Sequence, residues 1–178
     1  MKQIPNILSS FRLVLVGVFV YLFVSRQYVL SMIVYLTAFA TDILDGYLAR
    51  KHDWITNAGK VLDPLADKLM LFAVLCCFYS IGKIPLYVLL ITFIKDLVMI
   101  VIGVVLYSKK VVVYADWFGK IATGLFFIAI ILTFVNIIWK VECYHIYFYW
   151  LAMAVAVVSF FHYGVKTFIR KQGNGRIG

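Results

Sequence analysis

Asp42, Asp45, Asp63 and Asp67 are half of the chain's eight acidic residues, and they fall into two pairs, spaced three and four residues apart. On a helix, residues at those spacings share a face, so each pair presents two carboxylates side by side. Four carboxylates brought together repel one another, and something cationic must offset them. One answer is a salt-bridge network with Arg50, Lys60 and Lys68. The other is one or two hard divalent cations, which take oxygen ligands and often share them with the phosphates of a substrate. The small residues Gly46, Ala49 and Gly59 lie among the same positions. They leave space beside the carboxylates for something other than side chains.

The elements that must position these carboxylates follow from composition. The chain has 178 residues, 65% of them hydrophobic and 14% charged, with mean hydropathy +0.99. Soluble domains are about half apolar and roughly a quarter charged. This chain lacks the polar residues to cover a water-exposed surface, which points to an all-α integral membrane protein of one domain, residues 1–178. Six apolar runs approach the ~20 residues that a spanning helix needs: 7–24, 28–48, 61–81, 85–107, 118–139 and 144–168. The breaks between them are mostly short enough to make neighbouring helices antiparallel. A short interfacial stretch over residues 1–10 is open, and the polar tail 172–178 reads as flexible. Lys2 followed by an apolar run imitates a signal peptide, but Arg12 interrupts that run and no small-residue cleavage site follows. Cys76, Cys77 and Cys143 suit packing better than a disulfide framework.

Twelve lysines and arginines, from Lys2 to Arg176, collect at one set of helix ends, against Arg26, Lys83 and Lys140 at the other. The bias of basic residues towards the cytoplasm puts both termini inside. A net charge of +9 spread over helix ends favours anionic lipid headgroups over nucleic acid. Asp42 and Asp45 then lie near the cytoplasmic end of the second span, and Asp63 and Asp67 near the cytoplasmic start of the third. Ionisable groups in such places are functional by default.

From Asp42 the residues read D-x2-D-G-x2-A-R-x8-G-x3-D-x3-D, carried by Asp42, Asp45, Gly46, Ala49, Arg50, Gly59, Asp63 and Asp67. This resembles the signature of the CDP-alcohol phosphotransferase family, with every fixed position and both gaps present. The six-span layout and the opening IPNILSSFR extend the resemblance beyond the signature. It implies a membrane enzyme of the cytoplasmic membrane, with its active site on the cytoplasmic side. Such an enzyme passes a phosphatidyl group from CDP-diacylglycerol to an alcohol and releases CMP. It also implies two divalent cations, Mg2+ or Mn2+, ligated by Asp42, Asp45 and Asp63, with Asp67 as a further ligand and as the general base. Gly46, Ala49 and Gly59 would make room for the cytidine, and Arg50 would meet the donor. A homodimer is open on the same ground.

The acceptor rests on less. Arg12, Lys95, Asp96 and Lys120 form a candidate acceptor pocket: Lys95-Asp96 lies well inside the fourth span, and Gly119, Lys120 and Thr123 open the fifth. The short chain, the IPN opening and the G-K-x-x-T element are similar to family members that use glycerol 3-phosphate. Those members carry an Arg-Glu pair followed by another arginine in span four, where this chain has Lys95-Asp96 and no following arginine. Phosphatidylglycerol, giving cardiolipin, is therefore the alternative acceptor. Outside the family, an ion-binding transport protein is the remaining alternative. His52, His145 and His162 are scattered and read as interfacial fillers.

Overall fold

Each of the six apolar runs becomes a helix. In the computed structural model the backbone is described for residues 4–52, 59–108, 117–142 and 144–174, and the side chains for 10–44, 65–99, 119–142 and 144–159. The helices are α1 (Ile4–Val24), α2 (Tyr28–His52), α3 (Gly59–Ser80), α4 (Leu86–Ser108), α5 (Trp117–Trp139) and α6 (His145–Asn174). No strand occurs among the described residues. The ends fall close to those expected, with two informative differences. The first helix starts at Ile4 and runs without a break, because Pro5 falls in the first turn, where its missing N–H has no partner to lose. The last helix continues to Asn174, so part of the polar tail is helical; residues 175–178 lie outside the described residues.

The chain divides into two compact units. The first comprises residues 1–89 and 133–142, and in it α1 packs against both α2 and α3. Hydroxyls inside α2 fold back on their own helix. Ser31 Oγ donates to Gln27 O at 2.9 Å, Thr37 Oγ1 to Ile33 O at 2.8 Å and Thr41 Oγ1 to Ala38 O at 2.8 Å. Hydroxyls satisfied in this way can sit on an apolar helix at little cost.

At one end of this unit an aromatic cluster joins the helices. Phe134 lies against Phe78 at 5.0 Å and against Phe19 at 6.3 Å, both edge-on, and it also meets Phe23 and Tyr35. Phe23 and Phe78 pack at 5.8 Å, which brings the C-terminal ends of α1 and α3 to one level. Gly82 closes α3 with φ 70°, while Gly82 N–H donates to Tyr79 O and Lys83 N–H to Phe78 O. The left-handed backbone there favours glycine. The turn is tied to the end of α5: Lys83 Nζ donates to Asn136 Oδ1 at 2.7 Å, and Asn136 Nδ2 to Val141 O at 2.8 Å. Truncating the ring at the centre of the cluster, Phe134→Ala, is expected to cost ~3–5 kcal/mol. A thermal melt in detergent checks this; an unchanged midpoint would show that the cluster is not what holds these helix ends.

The second unit comprises residues 90–132 and 143–178. In it Phe126 of α5 meets Tyr149 of α6 edge-on at 6.2 Å. The small residues Ala122, Ala129, Ala152 and Ala156 are buried along these two helices, as suits apolar helices that approach closely. Among the described residues one helix is long and apolar enough to cross a membrane, Gly119–Trp139, with mean hydropathy 2.5. Ser10–Val24, Tyr28–Leu44 and His145–Ser159 are shorter apolar stretches. Cys76 and Cys77 are free thiols on α3, and Cys143 lies outside the described residues.

Candidate active site

Three helices of the first unit deliver charged groups to one level. Counted from the end where Phe23 meets Phe78, Arg12 lies twelve residues along α1, Asp42 fourteen along α2 and Asp67 thirteen along α3. At about 1.5 Å per residue these depths agree to within a single turn.

The guanidinium of Arg12 joins the two carboxylates. Nη2 donates to Asp42 Oδ1 at 2.9 Å, and Nη1 donates to Asp67 Oδ1. The arginine side chain is 2% exposed, whereas those of Asp42 and Asp67 are 37% and 42% exposed. The cation therefore lies beneath the carboxylates, whose outer faces stay open. One basic group holds one aspartate from each of the two pairs, so α2 and α3 bring Asp42 and Asp67 to a common place.

The remaining signature residues follow from the backbone. Asp45, Gly46, Ala49 and Arg50 lie on α2, and Gly59 and Asp63 on α3; their side chains lie outside the described residues, as does that of Lys60. Among the described residues no three acidic, histidine or cysteine groups gather as metal ligands. Asp42 and Asp67 are the two members of the quartet that are described. Their chemistry suits a hard cation: both donors are carboxylate oxygens, and both are partly open to an incoming ion.

The residues expected around the acceptor divide between the units. In the second, Lys95 Nζ pairs with Asp96 Oδ1 at 2.9 Å and lies 5.6 Å from the centre of the Phe126 ring. Asp96 is buried and Lys95 is half-buried, so the charged pair is sheltered from solvent. Lys120 is exposed on the first turns of α5. In the first unit Arg12 is occupied by the aspartates. That partnership was not foreseen from the sequence, which offered Arg50, Lys60 and Lys68 as the salt-bridge alternative. The signal was present: an arginine deep in an apolar run is almost always paired, and counting residues from the helix ends puts it level with Asp42 and Asp67.

Comparison with known proteins points the same way. The family model described as CDP-alcohol phosphatidyltransferase matches residues 2–159. A protein named "CDP-diacylglycerol--glycerol-3-phosphate 3-phosphatidyltransferase" from Aquifex aeolicus (strain VF5) is 32% identical over 123 residues, covering 68% of this chain and 69% of that protein. A protein of the same name from Bacillus subtilis (strain 168) is 29% identical over 145 residues, covering 73% and 75%. One from Mycoplasma genitalium is 42% identical over 86 residues, covering 48% of this chain. That match spans little more than a third, 36%, of the Mycoplasma protein.

Proposed function

The chain belongs to the CDP-alcohol phosphatidyltransferase family, and from that premise we propose that it transfers the phosphatidyl group of CDP-diacylglycerol to glycerol 3-phosphate and releases CMP. The observation that carries the reading is the meeting of Asp42 and Asp67, from opposite ends of the family signature, over one buried arginine with their outer faces open. The names of the relatives from Aquifex and Bacillus support glycerol 3-phosphate over phosphatidylglycerol as the acceptor.

In this reading Asp42, Asp45 and Asp63 ligate two divalent cations, Mg2+ or Mn2+, and Asp67 is a further ligand on the acceptor side. The cations, when bound, neutralise charge on the donor pyrophosphate and on the departing CMP. Gly46, Ala49 and Gly59 leave room for the cytidine, and Arg50 meets the donor phosphates. Asp67 takes the proton from the acceptor hydroxyl as its oxygen attacks the phosphorus of the phosphatidyl group and the bond to CMP breaks. Lys95 and Lys120 are assigned to recognition of the acceptor's phosphate, with the ammonium groups as its counter-charges, and Asp96 to orienting Lys95.

We further propose that the six helices cross the cytoplasmic membrane, with both termini and the aspartates on the cytoplasmic side. Large apolar side chains stand exposed along the helices, among them Val14, Ile94 and Leu151, and such a surface suits lipid better than water. The excess of lysine and arginine at one set of helix ends supports the orientation.

Purified protein in detergent, given Mg2+ and CDP-diacylglycerol, is expected to release CMP when glycerol 3-phosphate is added. Phosphatidylglycerol, inositol phosphate and serine, offered in parallel, are expected to give none. Release with phosphatidylglycerol alone would move the assignment to cardiolipin synthesis. Silence with all four, together with ion flux in liposomes that Asp63→Asn removes, would favour a transport protein.

A further inference from the structure

We propose that Arg12 is the positioning residue of the aspartate site: its guanidinium sets the separation of Asp42 and Asp67 and offsets their repulsion, and it is not a ligand of the acceptor. The turnover part of this inference rests on the phosphatidyl transfer proposed above; the stability and metal-binding parts do not.

Three observations carry it. The guanidinium is buried, and its two terminal nitrogens engage carboxylates from two different helices. A planar guanidinium holds its donors in a fixed fork, so engaging both oxygens also fixes the distance between them. The carboxylates, in contrast, keep open faces, so the same two groups can meet a cation or a substrate from the side opposite Arg12. A phosphate seeking Arg12 would have to reach a group that is 2% exposed and displace a carboxylate from it. The arginine is thus a floor under the site, and its role towards the reaction passes through Asp42 and Asp67.

The consequence separates charge from geometry. Without a cation beneath them, the two carboxylates repel each other across the place that Arg12 fills, screened only in part through their open faces. A divalent ion on the open side relieves the same repulsion. Removing Arg12 should therefore make the fold lean on bound metal, because a ligand that binds the folded state stabilises it in proportion to its occupancy. A lysine restores the charge but not the fork, so it should repair stability and leave turnover impaired.

The experiment compares the full-length protein with Arg12→Met and Arg12→Lys in detergent. Thermal melts are run with EDTA and with saturating Mg2+, Mn2+ binding is followed by calorimetry, and kcat and KM for glycerol 3-phosphate are measured by CMP release. Arg12→Met is expected to melt about 5 °C lower in EDTA, since the carboxylates left behind are partly screened by solvent, with a Mg2+-induced rise at least about twice that of the unmodified protein. Arg12→Lys is expected to recover most of the EDTA midpoint and to bind Mn2+. Its kcat should stay down by about tenfold or more, and its KM for glycerol 3-phosphate should change by less than about threefold. Equal loss of melting temperature with and without Mg2+ in Arg12→Met would reduce Arg12 to a tie between helices. Full recovery of kcat by lysine would show that charge suffices. A KM for glycerol 3-phosphate raised about tenfold with kcat kept would make Arg12 an acceptor ligand; each of these results overturns the proposal. If the unmodified protein shows no transfer at all, the proposed function fails, and the melts and Mn2+ titration still judge Arg12.

Discussion

Asp67→Asn is expected to lower kcat by about 10²–10⁴-fold, the usual worth of a positioned general base, with Mn2+ and donor binding largely kept. The substitution is nearly isosteric. Its amide oxygen can still accept the hydrogen bond that Arg12 Nη1 gives to Asp67 Oδ1, so α1 and α3 keep a weaker tie. What disappears is an oxygen able to take the acceptor's proton. In this reading Asp42, Asp45 and Asp63 carry the two cations and Asp67 is a peripheral carboxylate on the acceptor side, so the metals keep the ligands that hold them. Calorimetry with Mn2+ and CMP release over a range of pH check both halves. Abolished metal binding, with residual turnover independent of pH, would show that Asp67 is chiefly a ligand and that the base lies elsewhere.

Asp42→Asn and Asp63→Asn are expected to behave differently, losing metal and donor together. Removing a partner that merely orients a metal ligand costs about 10–100-fold in affinity, so loss of a ligand itself should exceed that. Because the pyrophosphate of the donor is held largely through the metals in this reading, its apparent affinity should fall in step. Asp42→Asn carries a second effect, since the 2.9 Å contact from Arg12 Nη2 exchanges a charged acceptor for a neutral one and weakens. The side chain of Asp63 lies outside the described residues. Mn2+ titration and binding of a water-soluble CDP-alcohol check this. Donor binding that survives when metal binding is lost would separate the two functions and assign the donor to Arg50 and its neighbours instead.

The helices were legible in the sequence because apolar length is itself the signal: 118–139 became Trp117–Trp139, and 28–48 kept its start and gained one turn at its end as Tyr28–His52. Of the four aspartates, Asp42 and Asp67 meet at Arg12, while the side chains of Asp45 and Asp63 lie outside the described residues. The packing between helices was less legible. Nothing in the periodicity marks Phe134 as the ring on which Phe19, Phe23, Tyr35 and Phe78 converge. On an apolar helix every face carries similar residues, and shape complementarity decides which one is used. The tie from Lys83 to Asn136 spans 53 positions between a turn and a helix end. No local pattern announces it. Arg12 lies between these cases. Its depth could be counted, but its choice of Asp42 and Asp67 over the acceptor depends on how α1 rotates against α2 and α3, which composition does not encode.

Transfer of radiolabel from glycerol 3-phosphate into lipid is the most direct measurement of what the aspartate site does. Purified protein with CDP-diacylglycerol and Mg2+ should move label into the organic phase in amounts equal to the CMP released. That transfer should vanish with EDTA and in Asp63→Asn while the variant still folds. CMP appearing without label in the lipid, or labelled lipid forming undiminished in EDTA, would contradict a metal-dependent phosphatidyl transfer at Asp42, Asp45, Asp63 and Asp67.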